Sequence, residues 1–146
     1  MYEMLEIIKN VLLLMSLLYF AWQDYHTHYI GVAASVMVGI MGIILQIFIK
    51  GSVTVLFELG VSMLVGVVLI LVGVVSKESI GIGDGILFMV SGCYLNIFDN
   101  LKLFGRTIFL MGGFAFLCLG IKKLRKISRI PMAPFMLVAY TTTCLS

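Results

Sequence analysis

Residues 53–75 read VTVLFELGVSMLVGVVLILVGVV, and the only charged side chain in this run is Glu58, near one end. A transmembrane helix needs about 20 predominantly apolar residues, and a carboxylate near the end of such a helix can reach the membrane interface. The run therefore predicts a membrane-spanning helix. Five further apolar runs predict spans of the same kind, at 4–22, 29–49, 80–98, 103–119 and 130–145.

The composition of the whole chain agrees with this interpretation. Of 146 residues, 62% are hydrophobic and 12% are charged, and the mean hydropathy is +1.16, whereas a soluble domain has about half apolar and a quarter charged residues. Lipid satisfies no backbone hydrogen bonds, so only helices and closed barrels span it, and long continuous runs favour helices. We therefore predict an all-α membrane protein of about six transmembrane helices, forming a single domain over residues 1–146.

Charge and potential metal ligands exclude several classes of function. A net charge of +3 is too small to suggest a nucleic-acid partner, so the expected partner at this level is the lipid bilayer. The three cysteines lie in apolar runs without a CxxC pair and are predicted to be small buried hydrophobes; they are Cys93, Cys118 and Cys144. His26 and His28 have no further ligands nearby, so we predict an interfacial loop there, and neither a metal site nor a cofactor.

Basic residues predict the orientation in the membrane. Half of the lysines and arginines crowd the connection between the last two predicted spans, and with Lys77 they mark one side as cytoplasmic under the positive-inside rule; they are Lys122, Lys123, Arg125, Lys126 and Arg129. With six spans, the first and third connections share this cytoplasmic side. Asp24 and Asp84 are then predicted to lie at similar depth, at the cytoplasmic ends of two helices.

Asp24 and Asp84 are the strongest candidates for chemistry. Asp24 is predicted to close the first helix, and Asp84 to open the fourth and to be the more buried of the two. Ionisable groups set into membrane helices are costly, so their default interpretation is functional. Two close carboxylates cannot both ionise easily and therefore share a proton. The ionised member can activate a water molecule while the protonated member donates to a carbonyl oxygen.

Glycines surround Asp84 in the sequence. Gly81, Gly83 and Gly85 leave the backbone without Cβ atoms, which permits positive φ angles and close approach of another chain. Gly81 and Gly85 also have the spacing at which small residues let membrane helices pack closely.

Three segments together resemble the type IV prepilin peptidases, a family of GxGD-type aspartic membrane proteases. They are Asp24 after the first span, Gly81-Ile82-Gly83-Asp84, and Ile130-Pro131-Met132-Ala133-Pro134-Phe135. The resemblance implies a GxGD aspartic protease-like bundle with Asp24 and Asp84 as the catalytic pair, and with supporting roles for Gly81, Gly83, Pro131 and Pro134. It also implies a prepilin or pseudopilin substrate, cut at the cytoplasmic face of a prokaryotic cell membrane. The family's N-methyltransferase region has no counterpart here, which implies cleavage without N-methylation.

Other interpretations remain open. The chain has Ile30-Gly31-Val32 where the family often has Ile-Pro-Asn, and Ile86 where it often has lysine, so a member without activity is one alternative. An archaeal preflagellin-type substrate is another. A small proton-coupled transporter or pilus-assembly factor would use the same two aspartates as a relay. A transporter places such groups near the midplane, so two aspartates at one face favour the peptidase.

Overall fold

The computed structural model describes residues 1–52, 54–76, 81–120 and 131–145, and within these ranges the chain forms α-helices and no β-strand. The helices are α1 Tyr2–Thr27, α2 Val32–Lys50, α3 Thr54–Val75, α4 Ile82–Gly92, α5 Ile97–Gly120 and α6 Ala133–Leu145. Four of them, α1, α2, α3 and α5, are long and apolar enough to cross a membrane. The prediction of a helical membrane protein is confirmed at this level.

Two helices are shorter than the apolar runs predict. α4 has 11 residues and α6 has 13, which corresponds to about 16 Å and about 20 Å at the rise of an α-helix. The hydrocarbon core of a bilayer is about 30 Å thick. That α4 and α6 also cross the membrane, as the prediction of six spans requires, therefore stays a prediction.

The boundary between α4 and α5 differs from the predicted one because Asn96 caps α5. Its Oδ1 accepts the backbone N–H of Asp99 at 2.9 Å, and its Nδ2 donates to the Asp99 carboxylate at 2.9 Å. Such a reciprocal cap satisfies first-turn groups that have no partner within the helix. The apolar run 80–98 is thereby divided between two helices, and α5 begins at Ile97 rather than at 103.

α4 packs on the inner side of the bundle. Contacts from α1 to α2, α2 to α3, α3 to α5, α5 to α6 and α6 back to α1 close a ring, and α4 packs against α2, α3 and α5. Leu87 and Phe88 of α4 are fully buried. Large apolar side chains such as Met37, Phe57 and Phe109 instead point outward, with 73%, 77% and 81% of their surface exposed. An exterior of this kind suits lipid rather than water.

Glycines bring the backbones of α3 and α4 together. A Cβ atom on Gly85 would lie 2.5 Å from Ile70 Cγ1 and 2.9 Å from the Gly66 carbonyl oxygen, and one on Gly66 would collide with the backbone of Met89. Small residues permit such close crossings in membrane proteins. Gly85 therefore packs closely, as predicted, but its partner is Gly66 of α3; the described atoms nearest to a Cβ on Gly81 belong to the Asp84 side chain. This crossing fixes the position of the turn that carries Asp84.

Several predictions fall on residues outside the described ranges. They concern Lys77 and the basic cluster between 122 and 129, so the orientation in the membrane stays a prediction. Of the cysteines with described side chains, Cys93 is buried and Cys118 is partly buried, and both are free thiols.

Candidate active site

Asp24 lies in the last turn of α1. The helix continues to Thr27 and ends at His28, whose positive φ of 54° is typical of a helix C-terminus. The His28 N–H donates to the Asp24 carbonyl oxygen at 3.0 Å. The sequence predicted that Asp24 closes the helix. In the structure, α1 continues beyond Asp24 to Thr27.

The Asp24 carboxylate caps α6, which is far away along the chain. Its Oδ2 accepts the backbone N–H of Ala133 at 3.2 Å, across a separation of 109 residues. First-turn N–H groups have no partner within their helix, and the dipole of a helix favours a negative charge at its N-terminus. Asp24 is only 8% exposed as a result.

Asp84 lies in the first turn of α4. Its N–H donates to the Gly81 carbonyl oxygen at 3.0 Å, and its carboxylate turns back towards Gly81, whose Cβ position would be 3.1 Å from Asp84 Oδ2. The space beside Gly83 is filled by Ile30, with Cδ1 3.0 Å from the position of a Cβ. None of the three glycines has a positive φ. Their role here is close packing, and the predicted freedom of φ is not used.

Asp24 and Asp84 lie close enough for their charges to interact. The burial order of the two is the reverse of the predicted one, since Asp24 is buried and Asp84 only half-buried. The reason is the N-terminus of α6, which covers Asp24. The local sequence around Asp84 is the more apolar of the two, but a contact made by a distant helix does not show in local sequence.

The two prolines flank the contact with Asp24. Pro131 precedes α6, and Pro134 lies in its first turn, where the missing N–H of proline costs nothing. Met132 and Ala133, between the prolines, are buried. The proline segment, the glycine-aspartate segment and Asp24 thus meet at one end of the bundle.

Exposed aromatic residues surround this end of α1. Trp22, Tyr25 and Tyr29 are 62%, 68% and 76% exposed, and tryptophan and tyrosine are enriched where membrane meets water. His26 packs its ring against Trp22, with centroids 4.9 Å apart, and is exposed like His28. Within the described ranges no group of three possible metal ligands is found. The pattern is typical of an interfacial segment.

An apolar groove runs beside α4. Its cavity has a volume of about 310 Å³ and lies between α2, α3 and α4. Ser35 and Gly39 line it from α2, and Ile86, Met89 and Cys93 line it from α4. None of the described residues that line the groove is charged, which suits a hydrophobic chain segment.

The sequence did not predict two of the contacts at this site. Ile30 occupies the first position of the segment where the prepilin peptidases often have Ile-Pro-Asn, so the resemblance held a signal for it. Ala133 contributes its backbone N–H. Every residue except proline has this group, so the residue type at position 133 does not indicate the contact. Comparison of the chain with family models, curated proteins and solved structures gave no match.

Proposed function

We propose that this chain is an aspartic endopeptidase of the prepilin peptidase type, with Asp24 and Asp84 as its catalytic pair. Its substrate is a type IV prepilin or pseudopilin precursor, whose leader is cut at the cytoplasmic face of a prokaryotic cell membrane. The observation that carries the proposal is the convergence of three distant segments. Asp24 contacts the start of α6 and interacts with Asp84, so all three motifs of the resemblance belong to one site.

The chemistry needs only the two carboxylates and water. Neighbouring carboxylates hold a shared proton because two adjacent negative charges repel. The ionised member removes a proton from water as the water attacks the scissile carbonyl carbon. The protonated member donates to the carbonyl oxygen, which gives a tetrahedral diol. The first carboxyl then passes the proton it took from water to the amide nitrogen, the C–N bond breaks and the amine leaves, while a hydroxyl of the diol returns a proton to the second carboxylate. The Ala133 N–H holds Asp24 Oδ2 in place during these steps.

The surroundings of the pair suit a substrate that lies partly in the membrane. The exposed aromatic residues at the end of α1 favour an interfacial position, where a leader in water can meet a hydrophobic segment in lipid. The groove beside α4 offers an apolar path along the helix that carries Asp84. We propose that the hydrophobic segment of the substrate lies along this path.

The experiment compares processing of a co-expressed prepilin by the wild type and by Asp24→Asn, Asp84→Asn and Asp99→Asn. Asp99 is the matched control, because it is an exposed carboxylate paired with Lys102 at the start of α5. We expect unprocessed precursor to accumulate with the first two variants and normal processing with Asp99→Asn. Cleavage by Asp24→Asn or Asp84→Asn at the wild-type rate would contradict the proposal.

The Asp24→Asn variant distinguishes the catalytic role of Asp24 from its role in capping α6. The asparagine side-chain oxygen can still accept the Ala133 N–H, so α6 keeps its cap, whereas the carboxylate needed for acid–base chemistry is gone. Thermal unfolding of the purified Asp24→Asn variant in detergent should therefore remain close to that of the wild type. A loss of cleavage together with normal unfolding assigns the defect to chemistry.

A further inference from the structure

One cation lies within a candidate membrane-spanning helix. Arg106 is in the third turn of α5, within the stretch Ile97–Cys118 that is long and apolar enough to cross a membrane. It is half-buried, and its Nη1 donates to Thr143 Oγ1 of α6 at 2.9 Å. Charged groups at such positions are costly and usually have a role.

The charge of Arg106 is not compensated within the described part of the chain. The other basic residues described there each pair with a carboxylate, in the pairs Lys9–Glu6, Lys50–Glu58 and Lys102–Asp99. No carboxylate of the described ranges lies within 4.0 Å of Arg106. Its one described hydrogen-bond partner, Thr143, is neutral, and a guanidinium has several further N–H groups to donate. The site therefore favours an anion.

A crevice opens beside this guanidinium. It has a volume of about 250 Å³ and is lined by Gly105, Phe109, Leu110 and Thr142 as well as Arg106. Nothing lies within 4 Å of the position of a Cβ on Gly105, and Phe109 is 81% exposed. A cation beside apolar walls matches a ligand with an anionic head and a hydrocarbon chain.

The depth of the crevice agrees with such a ligand. The exposed pair of Lys102 and Asp99 lies in the first turns of α5, and Arg106 follows one turn later, about 6 Å further along the helix. This end of α5 is the end opposite the aspartates, because Asp84 lies in the first turn of α4, and α4 leads away from it to α5. Arg106 thus lies just below a charged rim, where the headgroup and acyl regions of a bilayer meet.

We propose that the α5–α6 crevice binds the phosphate group of an anionic membrane lipid. The guanidinium donates parallel hydrogen bonds to two phosphate oxygens, the geometry in which arginine binds this group best. The acyl chain lies along Phe109 and Leu110, in the space that Gly105 leaves open. The site is independent of the peptidase activity proposed above.

The test measures binding of phosphatidylglycerol and of phosphatidylcholine to the full chain in detergent, by native mass spectrometry. We expect the wild type to retain phosphatidylglycerol preferentially. Arg106→Gln should weaken its binding about tenfold or more, the effect of losing charge-assisted hydrogen bonds. Lys102→Gln removes the same charge one turn away and should bind like the wild type.

Each other result overturns the proposal. If Arg106→Gln binds phosphatidylglycerol as tightly as the wild type, Arg106 is not part of the lipid site. If Lys102→Gln loses as much binding as Arg106→Gln, the effect comes from the net charge of the protein and not from the crevice. Displacement of the lipid by millimolar inorganic phosphate would assign the site to the free anion instead. If Arg106→Gln does not fold, lipid binding is measured with Gly105→Leu instead, because the leucine side chain fills the crevice and leaves the guanidinium in place. We expect this variant to bind phosphatidylglycerol more weakly than the wild type. Wild-type lipid binding by Gly105→Leu would exclude the crevice.

Discussion

Asp24 combines two roles in one short side chain. It lies within electrostatic range of Asp84 and accepts the N–H of Ala133, so the position of its carboxylate is set in part by a helix other than its own. A carboxylate constrained in this way tolerates little displacement. The same holds for Asp84, whose carboxylate lies against Gly81.

Lengthening either aspartate side chain by one methylene should therefore distinguish a peptidase from a proton relay. In Asp24→Glu and Asp84→Glu the acid is kept but displaced by about 1 Å or more, and such a shift costs a precisely aligned reaction about a hundredfold in rate. We expect the initial rate of precursor cleavage to fall by about that factor. Asp99→Glu, at the opposite end of the bundle, is the control.

A relay predicts a different outcome. A carrier needs a group that gains and loses protons, and glutamate does this as well as aspartate. Cleavage at near wild-type rates by both glutamate variants would contradict the tight geometry on which the proposed peptidase depends. Proton uptake into vesicles, unaffected by the glutamate variants and abolished by the asparagine variants, would support the relay.

At the residue scale, sequence motifs singled out the candidate residues but did not predict how they are arranged. The two aspartates, the glycines and the prolines were all found from motifs, and they meet in the fold. The burial order of the aspartates was wrong, because it depends on Ala133, a backbone donor 109 residues away. No pattern near Asp24 or Asp84 contains that information.

At the scale of elements, α4 depends on its crossing with α3. Replacing Gly66 by alanine forces a methyl group into the backbone of Met89 and Gly85, and overpacking of this kind costs about 1–3 kcal/mol. Gly60→Ala, on the same helix, meets nothing within 4 Å and should be neutral or slightly stabilising. Unfolding in detergent, followed by circular dichroism, measures both. Equal stability of the two variants would show that the close crossing is not needed.

The sequence predicted the long helices well and the end of α4 poorly. Apolar runs are sufficient to place α1, α2, α3 and the later part of α5, because each of these helices is long and apolar enough to cross a bilayer in one piece. The chain turns after Gly92 because buried side chains from other helices bind the carbonyl groups of the turn. Gln46 donates to the Tyr94 carbonyl oxygen at 2.6 Å, and Ser62 donates to that of Leu95 at 2.9 Å. Hydropathy does not report such long-range partners, although Asn96 and Asp99 held a readable cap for α5.

At the scale of the whole molecule, the depth of the site in the bilayer can be measured with its own fluorophore. Trp22 is the only tryptophan, is 62% exposed and lies two positions before Asp24. We expect lipids brominated near the carbonyl end of their acyl chains to quench it more strongly than lipids brominated near the terminal methyl, because aromatic residues of this kind lie at the interface.

A second fluorophore position gives the matched control. Leu64 lies near the middle of α3 and is 53% exposed, so tryptophan placed there in a Trp22→Phe background should show the opposite quenching profile. If Trp22 were quenched most by bromines near the terminal methyl, the aspartates would lie deep in the membrane. That result would favour the proton-coupled alternative.

The shortness of α4 has a consequence for the membrane itself. α4 reaches about 16 Å, and α3 beside it reaches about 33 Å, so roughly half of α3 has no α4 alongside it. Lipids next to this part can tilt or compress to follow the protein, at an elastic cost of fractions of a kcal/mol per Å of mismatch. Thinner bilayers reduce that cost. The molecule is therefore expected to concentrate in thin regions of a membrane, and to be more stable in short-chain than in long-chain lipid.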